Sequence, residues 1–301
     1  MHKPKISRKE FLSKSAAALA GLSMLPSIEQ KASPGNLLLR SLGKTGIMVS
    51  PICFGAPRTT NETLIKYAID KGINFIDTGR SYANGNNEIL VGRAVKDIRK
   101  NIVIQTKIRL DPEELPNRGK GKKDAGEIRK ILSSKLIASL KALDTDFIDV
   151  LLYHDASEES LLFHPEVLRF FADMKTAGVI KAHGFSAHNE VMNLHQRNNI
   201  EKFYDVVMIP FNHKGSFIHS VTGRHSDWDQ QKLIEILTSA HEIGTAVVAM
   251  KTCSGGKYSP SASVEPSFAA AVKWVISQPY VSSAAVAMAT FSEVDEHLQI
   301  I

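Results

Sequence analysis

Chemically versatile side chains follow the ends of three apolar runs in this sequence. Asp77 ends the second apolar run, Lys107 ends the third and His154 ends the fourth. Tyr82 follows Asp77 in a loop rich in glycine and asparagine. Carboxylate, ammonium, imidazole and phenol groups are those that proteins use to hold and transfer protons. The pattern therefore predicts a proton-transfer site, provided that the fold brings the ends of these runs together.

Each of these residues also has an ordinary structural interpretation. A lone Asp77 after a strand is typically a helix cap or a turn former, and Tyr82 in such a loop would be a partly buried packing residue. Lys107 and His154 at strand ends would be a salt-bridge partner and a hydrogen-bonded core histidine. The functional interpretation rests on the occurrence of all four at three successive strand ends.

Eight apolar runs alternate with segments of helical periodicity from Leu37 onward. Strict alternation predicts a parallel sheet with right-handed crossovers, and eight units allow that sheet to close into a (β/α)8 TIM barrel, whose active sites form where strands end. The alternative is an open doubly wound sheet, but no Gly-x-Gly-x-x-Gly follows the first run. The predicted strands are 52–54, 75–77, 102–107, 147–154, 180–186, 206–210, 246–250 and 284–287. The predicted helices are 62–70, 88–95, 127–143, 165–176, 190–197, 230–243, 268–277 and 292–299.

Residues 34–301 are predicted to form one barrel domain that begins with a hairpin. A chain of 301 residues, 43% of them hydrophobic, can bury one large core. Glycines 43 and 46 lie between two short apolar arms, which favours an N-terminal β-hairpin plug ahead of the first barrel strand. The two cysteines, Cys53 and Cys253, indicate neither a disulfide framework nor a metal site.

Residues 1–33 resemble an export signal. A basic start that includes Arg8 and Lys9 precedes an uncharged run at 16–25. That run is shorter than the ~20 residues of a membrane-spanning helix, so no membrane span is predicted. The start resembles a twin-arginine signal with Lys9 in place of the second arginine, which implies export machinery as a partner and a periplasmic or otherwise exported protein. The alternative is an uncleaved N-terminal helix on a cytoplasmic protein.

The remaining positive charge does not indicate a nucleic-acid partner. The net charge is +6, and part of it comes from basic residues at 118–123 in a loop that contains glycines. No nucleic-acid-binding motif accompanies these residues, so we expect a solvated loop. The wider segment 109–124 is expected to overhang the pocket mouth, where its charges would suit polar substrates.

The segment from 72 to 88 contains a dense run of motif residues. It reads Gly-Ile-Asn-Phe-Ile-Asp-Thr at 72–78, then Ser-Tyr at 81–82 and Asn-Gly-Asn-Asn-Glu at 84–88. This segment resembles the signature of the aldo/keto reductase family. The hairpin and the Gly-Phe-Ser at 184–186 also resemble that family. The resemblance implies hydride transfer between NADP(H) or NAD(H) and a small-molecule carbonyl substrate, such as an aldehyde, a ketone or a sugar-derived compound.

The same resemblance implies a catalytic role for each of the four strand-end residues. Tyr82 would donate the proton to the carbonyl oxygen, although the ordinary pKa of tyrosine is near 10. Lys107 would favour the phenolate and so lower the pKa of Tyr82, while Asp77 would keep Lys107 charged and oriented. His154 would donate a hydrogen bond to the substrate oxygen, where negative charge develops.

The family's cofactor-binding positions are only partly kept. Ser186 matches the serine that holds the nicotinamide carboxamide, but two amide anchors are missing: Ala187 stands where the family has an asparagine and Met208 where it has a glutamine. Met250 and Lys251 stand where an aromatic residue usually stacks on the nicotinamide ring, and Thr252 begins a loop of small residues suited to the pyrophosphate. The alternative for that segment is an ordinary βα loop.

The last βα unit contains acidic rather than basic residues. Relatives grip the 2′-phosphate of NADPH here with lysine and arginine, whereas Glu293 stands about where the arginine would be. A carboxylate repels a phosphate. We therefore expect little or no preference for NADPH over NADH.

Two other functions remain compatible with the sequence. A barrel that kept the cofactor could serve as a non-catalytic binding or redox-sensing subunit, which the missing amide anchors favour and the complete set of Asp77, Tyr82, Lys107 and His154 disfavours. A tightly held cofactor could instead oxidise and re-reduce one sugar without net redox change. Release of nicotinamide at each turnover would separate these functions.

Overall fold

The computed structural model describes residues 37–114, 125–188, 192–218 and 223–301. The predicted export signal at 1–33 lies outside these residues, as does most of the predicted overhanging loop at 109–124. None of the helices in the described ranges combines the length and the hydrophobicity that a membrane span requires.

Eight parallel strands close into a barrel, which confirms the predicted fold class. They are β3 (Ile52–Gly55), β4 (Phe75–Asp77), β5 (Val103–Ile108), β6 (Ile148–Tyr153), β7 (Ile180–Ser186), β8 (Val206–Pro210), β11 (Ala246–Met250) and β12 (Ser283–Ala287). They follow one another around the barrel in chain order, and β12 pairs with β3 to close it.

Helices connect most consecutive barrel strands on the outside. In the described residues they are α1 (Glu62–Asp70), α2 (Asn86–Val95), α3 (Ala125–Ala142), α4 (Glu159–Leu162), α5 (Pro165–Thr176), α6 (Met192–Glu201), α7 (Gln230–Glu242), α8 (Phe268–Ile276) and α9 (Phe291–Leu298). Local sequence fixes several of their starts. Asn61, Asp229, Ser267 and Thr290 are N-caps whose side chains accept a hydrogen bond from a backbone N–H of the first turn.

Alternation along the strands divides the apolar side chains into two layers. Phe75, Val150 and Val248 belong to a buried cluster that fills the barrel interior. Ile76 and Leu151, one position further along their strands, belong to the cluster that packs against the helices. Polar residues at inward positions near the strand ends therefore lie at the mouth of the barrel.

The described residues also form two hairpins outside the barrel. The first pairs β1 (Arg40–Ser41) with β2 (Met48–Val49), and its Leu42 lies in the interior cluster. Lys44 donates its backbone N–H to Gly244, just before β11, so this hairpin contacts the N-terminal ends of the strands. Its function as a plug stays a prediction. The second hairpin, β9 (Ser216–Ile218) with β10 (His225–Asp227), is inserted after β8.

The predicted strands differ from the observed ones by at most one residue at either end. The short helix α4 and the β9–β10 hairpin were not predicted. Both are insertions in βα loops, too short to show a period of 3.6 or 2 residues in the sequence.

Candidate functional site

A buried ion pair joins Asp77 to Lys107 near the ends of β4 and β5, and we call this buried polar layer the floor of the barrel mouth. The Lys107 Nζ donates to Asp77 Oδ1 at 2.5 Å and to the backbone oxygen of Thr78 at 2.7 Å. The lysine is 1% exposed and the aspartate 3% exposed. Since a buried charge is stable only when it is paired and hydrogen-bonded, these contacts keep the ammonium charged inside the protein.

Gln105 is a further member of this floor that the sequence analysis missed. Its Nε2 donates to Asp77 Oδ1 at 2.6 Å and approaches the Sδ of Met208 at 3.5 Å. Its Oε1 is buried without a hydrogen-bond partner. Gln105 lies two residues before Lys107 on the same strand, so the period of two along β5 could have indicated that both point inward.

Tyr82 lies in a tight turn directly after β4. The turn has three consecutive residues in the left-handed region, with φ values of 48° at Ala83, 53° at Asn84 and 86° at Gly85. Only glycine adopts that region freely, and asparagine tolerates it better than most residues. This conformation brings the Tyr82 ring to Lys107, whose Nζ lies 4.9 Å from the ring centroid.

A second buried ion pair anchors the Tyr82 turn to α2. Arg80 NH1 lies 2.7 Å from Oε2 of Glu88, whose side chain is 0% exposed. Thr106 donates to the other oxygen of Glu88 at 2.6 Å. The φ of 86° at Gly85 favours glycine here, and a Cβ would lie 1.1 Å from the Arg80 guanidinium, so any other residue would displace that side chain. Burial raises the pKa of Glu88 above its ordinary value despite these donors.

Burial and nearby charges act on Tyr82 in opposite directions. Burial raises the pKa of Tyr82, Lys107 lowers it and Asp77 raises it, with a net increase above the ordinary value. Burial also disfavours the charged form of Lys107, but Asp77 and Tyr82 raise the pKa of Lys107 above its ordinary value overall. The expected effect of Lys107 on the phenol is therefore present but is outweighed by burial.

His154 completes the group at the end of β6. Its ring meets the Tyr82 ring edge to face, with centroids 5.6 Å apart and an interplanar angle of 86°. The Oγ of Ser81 lies 3.3 Å from its Nδ1. Burial, followed by the positive charges of Lys107 and Arg109, lowers the pKa of His154 to about 2. The imidazole is therefore neutral at physiological pH.

A cavity of about 220 Å³ opens beside His154 between the loops that follow β5 and β6. Arg109 and Asp155 form its polar wall, with Arg109 NH1 and Asp155 Oδ2 2.8 Å apart. Leu110 and Tyr153 contribute apolar surface. The cavity is smaller than the ~300 Å³ at which typical ligand pockets begin, so it suits a small ligand.

The predicted cofactor residues lie on the other side of the mouth. Ser186, 1% exposed, accepts a hydrogen bond from the backbone N–H of Asp155 at 3.1 Å. Met208 and Met250 are both buried members of the interior cluster, and Met208 pairs in register with Ser186. The structure thus brings the three together, with a hydroxyl at the end of β7, one thioether in the middle of β8 and another at the end of β11.

The segment after β11 has an unusual backbone conformation at Lys251. Lys251 has a φ of 59°, and its Nζ lies 5.3 Å from the centroid of the Phe217 ring in the β9–β10 hairpin. Burial lowers the pKa of Lys251. Asn212 supports this conformation by donating to the Lys251 backbone oxygen at 3.1 Å. Thr252 is 2% exposed, and its hydroxyl faces the Sγ of Cys253. Its side chain therefore packs inside the loop and is not on the loop surface.

Glu293 lies at the beginning of α9, close to the end of β12. Its Oε2 accepts from the backbone N–H of Ala289 at 2.6 Å, and its own N–H donates to the N-cap Thr290 at 3.2 Å. The carboxylate therefore binds a backbone donor at this helix start, a position that otherwise attracts anions.

Comparison with known proteins defines the family. A model of the aldo/keto reductase family matches residues 54–269, and this chain belongs to that family. A probable voltage-gated potassium channel subunit beta from Arabidopsis thaliana is 37% identical over 131 residues, which cover 39% of this chain and 38% of that protein. The chain therefore matches well under half the length of this relative.

Solved structures share the fold at low sequence identity. An aldo-keto reductase from Bacillus halodurans in its holo form has a TM-score of 0.68 at 21% identity, covering 88% of this chain and 90% of that one. An aldo/keto reductase from Klebsiella pneumoniae in complex with NADP and acetate has a TM-score of 0.64 at 18% identity, covering 87% and 89%.

Proposed function

We propose that this protein is an oxidoreductase that transfers hydride between NAD(P)H and a small carbonyl compound, with Tyr82 as the proton donor. The observation that carries this proposal is the series of contacts from Asp77 to Lys107, from Lys107 to the Tyr82 ring and from that ring to His154. A barrel that only binds a ligand has no need for a buried ammonium beside a phenol. Membership of the aldo/keto reductase family supports the same activity.

The donor set on the cofactor side fits a nicotinamide dinucleotide. The Ser186 hydroxyl accepts one hydrogen bond from Asp155 and can still donate to a carboxamide oxygen. Met208 and Met250 offer polarisable apolar surface to a planar ring, and the Lys251 ammonium suits a phosphate. The Klebsiella relative in complex with NADP supports NADP(H) or NAD(H) as the cofactor here.

The nicotinamide would supply or accept the hydride, and the protein's own residues would donate or accept the proton. Tyr82 donates its phenolic proton to the carbonyl oxygen, and the ammonium of Lys107 stabilises the phenolate that remains. Asp77 holds that ammonium in place at 2.5 Å. Neutral His154 donates a hydrogen bond to the same oxygen, in a site largely shielded from water.

The cavity beside His154 favours a small and polar substrate. Its volume of about 220 Å³ accommodates a small molecule, since a cavity of about 150 Å³ already holds a six-membered ring. The Arg109–Asp155 pair offers both a donor and an acceptor to hydroxyl groups. We therefore propose small aldehydes and ketones, including sugar-derived ones, as substrates.

The test is the Tyr82→Phe variant, with Tyr280→Phe as a matched control in the core. Loss of a general acid lowers the rate by about a hundredfold or more, so carbonyl reduction should fall by that factor while the dissociation constant for cofactor stays within a few-fold. Tyr280, 5% exposed and packed on Phe211, should tolerate the same change. Near-normal turnover by Tyr82→Phe would reject Tyr82 as the donor.

A second candidate is a non-catalytic binding or redox-sensing subunit. The plant relative named as a potassium channel beta subunit is compatible with it, and the methionine at 208, in place of an amide that would hold the nicotinamide, supports it. Rapid mixing of the reduced protein with carbonyl compounds separates the two functions. A reductase releases oxidised nicotinamide at every turnover, whereas a sensing subunit retains it after one oxidation.

We also propose that residues 1–33 direct export of the folded protein. Supporting this is the basic start at Arg8 and Lys9 followed by an uncharged run. Deletion of 1–33 should leave a soluble barrel with unchanged cofactor affinity, and Arg8→Gln should retain active protein in the cytoplasm of a host with both export routes. Fractionation with an activity assay measures this, and export of the Arg8→Gln protein would contradict it.

A further inference from the structure

Two consecutive residues, Ser81 and Tyr82, both contact the His154 imidazole. The Tyr82 ring meets it edge to face at 5.6 Å between centroids. The Ser81 Oγ lies 3.3 Å from the Nδ1 atom, at hydrogen-bonding distance. Because both contacts come from the turn after β4, the conformation of that turn determines the surroundings of His154.

The contact with Ser81 matters because His154 is neutral. Burial, Lys107, Arg109 and His188 all lower the pKa of His154, to about 2. A neutral imidazole has one N–H group and one nitrogen that can only accept. Whether His154 can donate to a ligand through Nε2 therefore depends on which nitrogen carries the single hydrogen.

We infer that Ser81 is a positioning residue for His154: its hydroxyl donates to Nδ1 and thereby keeps the ring hydrogen on Nε2. A serine hydroxyl can donate this hydrogen bond and still accept others, and Ser81 is exposed, so water can supply them. In the opposite arrangement Nδ1–H would donate to Ser81, and Nε2 would repel a carbonyl oxygen. The functional part of this inference rests on the proposed carbonyl reduction, since a carbonyl oxygen can only accept.

The test combines histidine spectroscopy with kinetics on the full chain. Protein labelled with ¹⁵N-histidine gives ring nitrogen shifts that distinguish N–H from acceptor nitrogens, and His154→Gln identifies the signals of His154. The variants are Ser81→Ala, Ser81→Thr, which keeps a hydroxyl, and Ser134→Ala on the exposed surface of α3 as a matched control.

The wild type and Ser81→Thr should show the hydrogen on Nε2, and Ser81→Ala should show a mixture of the two tautomers. Loss of one neutral hydrogen bond is worth about fivefold, so kcat/KM for carbonyl reduction should fall about fivefold or more in Ser81→Ala. Ser81→Thr should recover it to within about twofold, and cofactor affinity should stay constant in all variants. Ser134→Ala should match the wild type in both measurements.

A hydrogen on Nδ1 in the wild type, or an unchanged tautomer in Ser81→Ala, would overturn the inference. These results are independent of the reductase proposal, because the spectra are recorded without substrate. If the wild type reduces no carbonyl compound, the proposed function fails while the spectra still decide the role of Ser81. If the wild type is active but Ser81→Ala has normal spectra and kinetics, only the role of Ser81 is lost.

Discussion

The two sides of the barrel mouth are built from different kinds of contact. Near the ends of β4, β5 and β6, Asp77 and Lys107 share a 2.5 Å ion pair, and the Ser81 Oγ lies 3.3 Å from the Nδ1 of His154. On β8 and β11, Met208 and Met250 fill the corresponding positions with thioethers. Proton transfer needs particular groups at particular distances, whereas a planar ring can be covered by many apolar side chains. We therefore expect substitutions of Asp77, Lys107 or His154 to be poorly tolerated. At Met208 and Met250, by contrast, a substitution could increase cofactor affinity.

The largest effect is expected from Lys107→Met. The change leaves the Asp77 carboxylate buried without its cation, which costs about 3–5 kcal/mol of unfolding free energy. It should also lower carbonyl reduction by about a hundredfold or more. Urea denaturation and steady-state kinetics measure the two effects.

Two further variants sharpen this test. In Asp77→Asn/Lys107→Met both charges are absent, so most of the stability should return while activity stays low. Lys66→Met removes the exposed partner of Glu62 on the surface of α1, and it should cost ~1 kcal/mol or less. Equal destabilisation by Lys107→Met and Lys66→Met would show that the buried Asp77–Lys107 pair contributes no more to stability than a surface pair.

A smaller effect, an increase in cofactor affinity, is expected from Met208→Gln on the cofactor side of the barrel mouth. An amide at this position can hydrogen-bond to a nicotinamide carboxamide or to the unpartnered Oε1 of Gln105. One net hydrogen bond contributes about 1 kcal/mol, so the dissociation constant for NAD(P)H should fall about fivefold. Fluorescence titration measures it, with Met208→Leu as the apolar control. Weaker binding by the glutamine variant would mean that this side is already optimised for thioethers.

The smallest effect concerns the choice between the two nicotinamide cofactors. Because the Glu293 carboxylate occupies the start of α9, NADPH should be favoured over NADH by less than about tenfold, and Glu293→Gln should shift the ratio of dissociation constants towards NADPH by a few-fold. Glu296→Gln, exposed on the same helix, is the control. A preference of about a hundredfold for NADPH, worth about 2.7 kcal/mol, would require a basic subsite elsewhere.

The strands were predictable because each is a short apolar run in a strictly alternating chain. Asp77, Lys107 and His154 were predictable for the same reason, since a parallel barrel brings strand ends to one mouth. The contacts of Arg80 and Ser81 were not predictable. They depend on three left-handed residues in the turn after β4. Neither residue type nor spacing in the sequence predicts the direction of the side chains in such a turn. The net pKa of Tyr82 depends on burial, which follows only from the complete fold.

The pairing of β12 with β3 has a consequence for the growing chain during translation. Ile52 pairs in register with Ala284, so the barrel can close only after Ala284 has been synthesised. Ribosomes add about 5–20 residues per second, so β3 keeps an open edge for many seconds after β4, β5 and β6 have emerged, and β11 has an open edge from its own synthesis until that of β12. Open edges recruit other strands. A nascent chain halted before β12 would therefore already contain Asp77, Gln105 and Lys107, and yet it would be prone to aggregate through the open edges of β3 and β11.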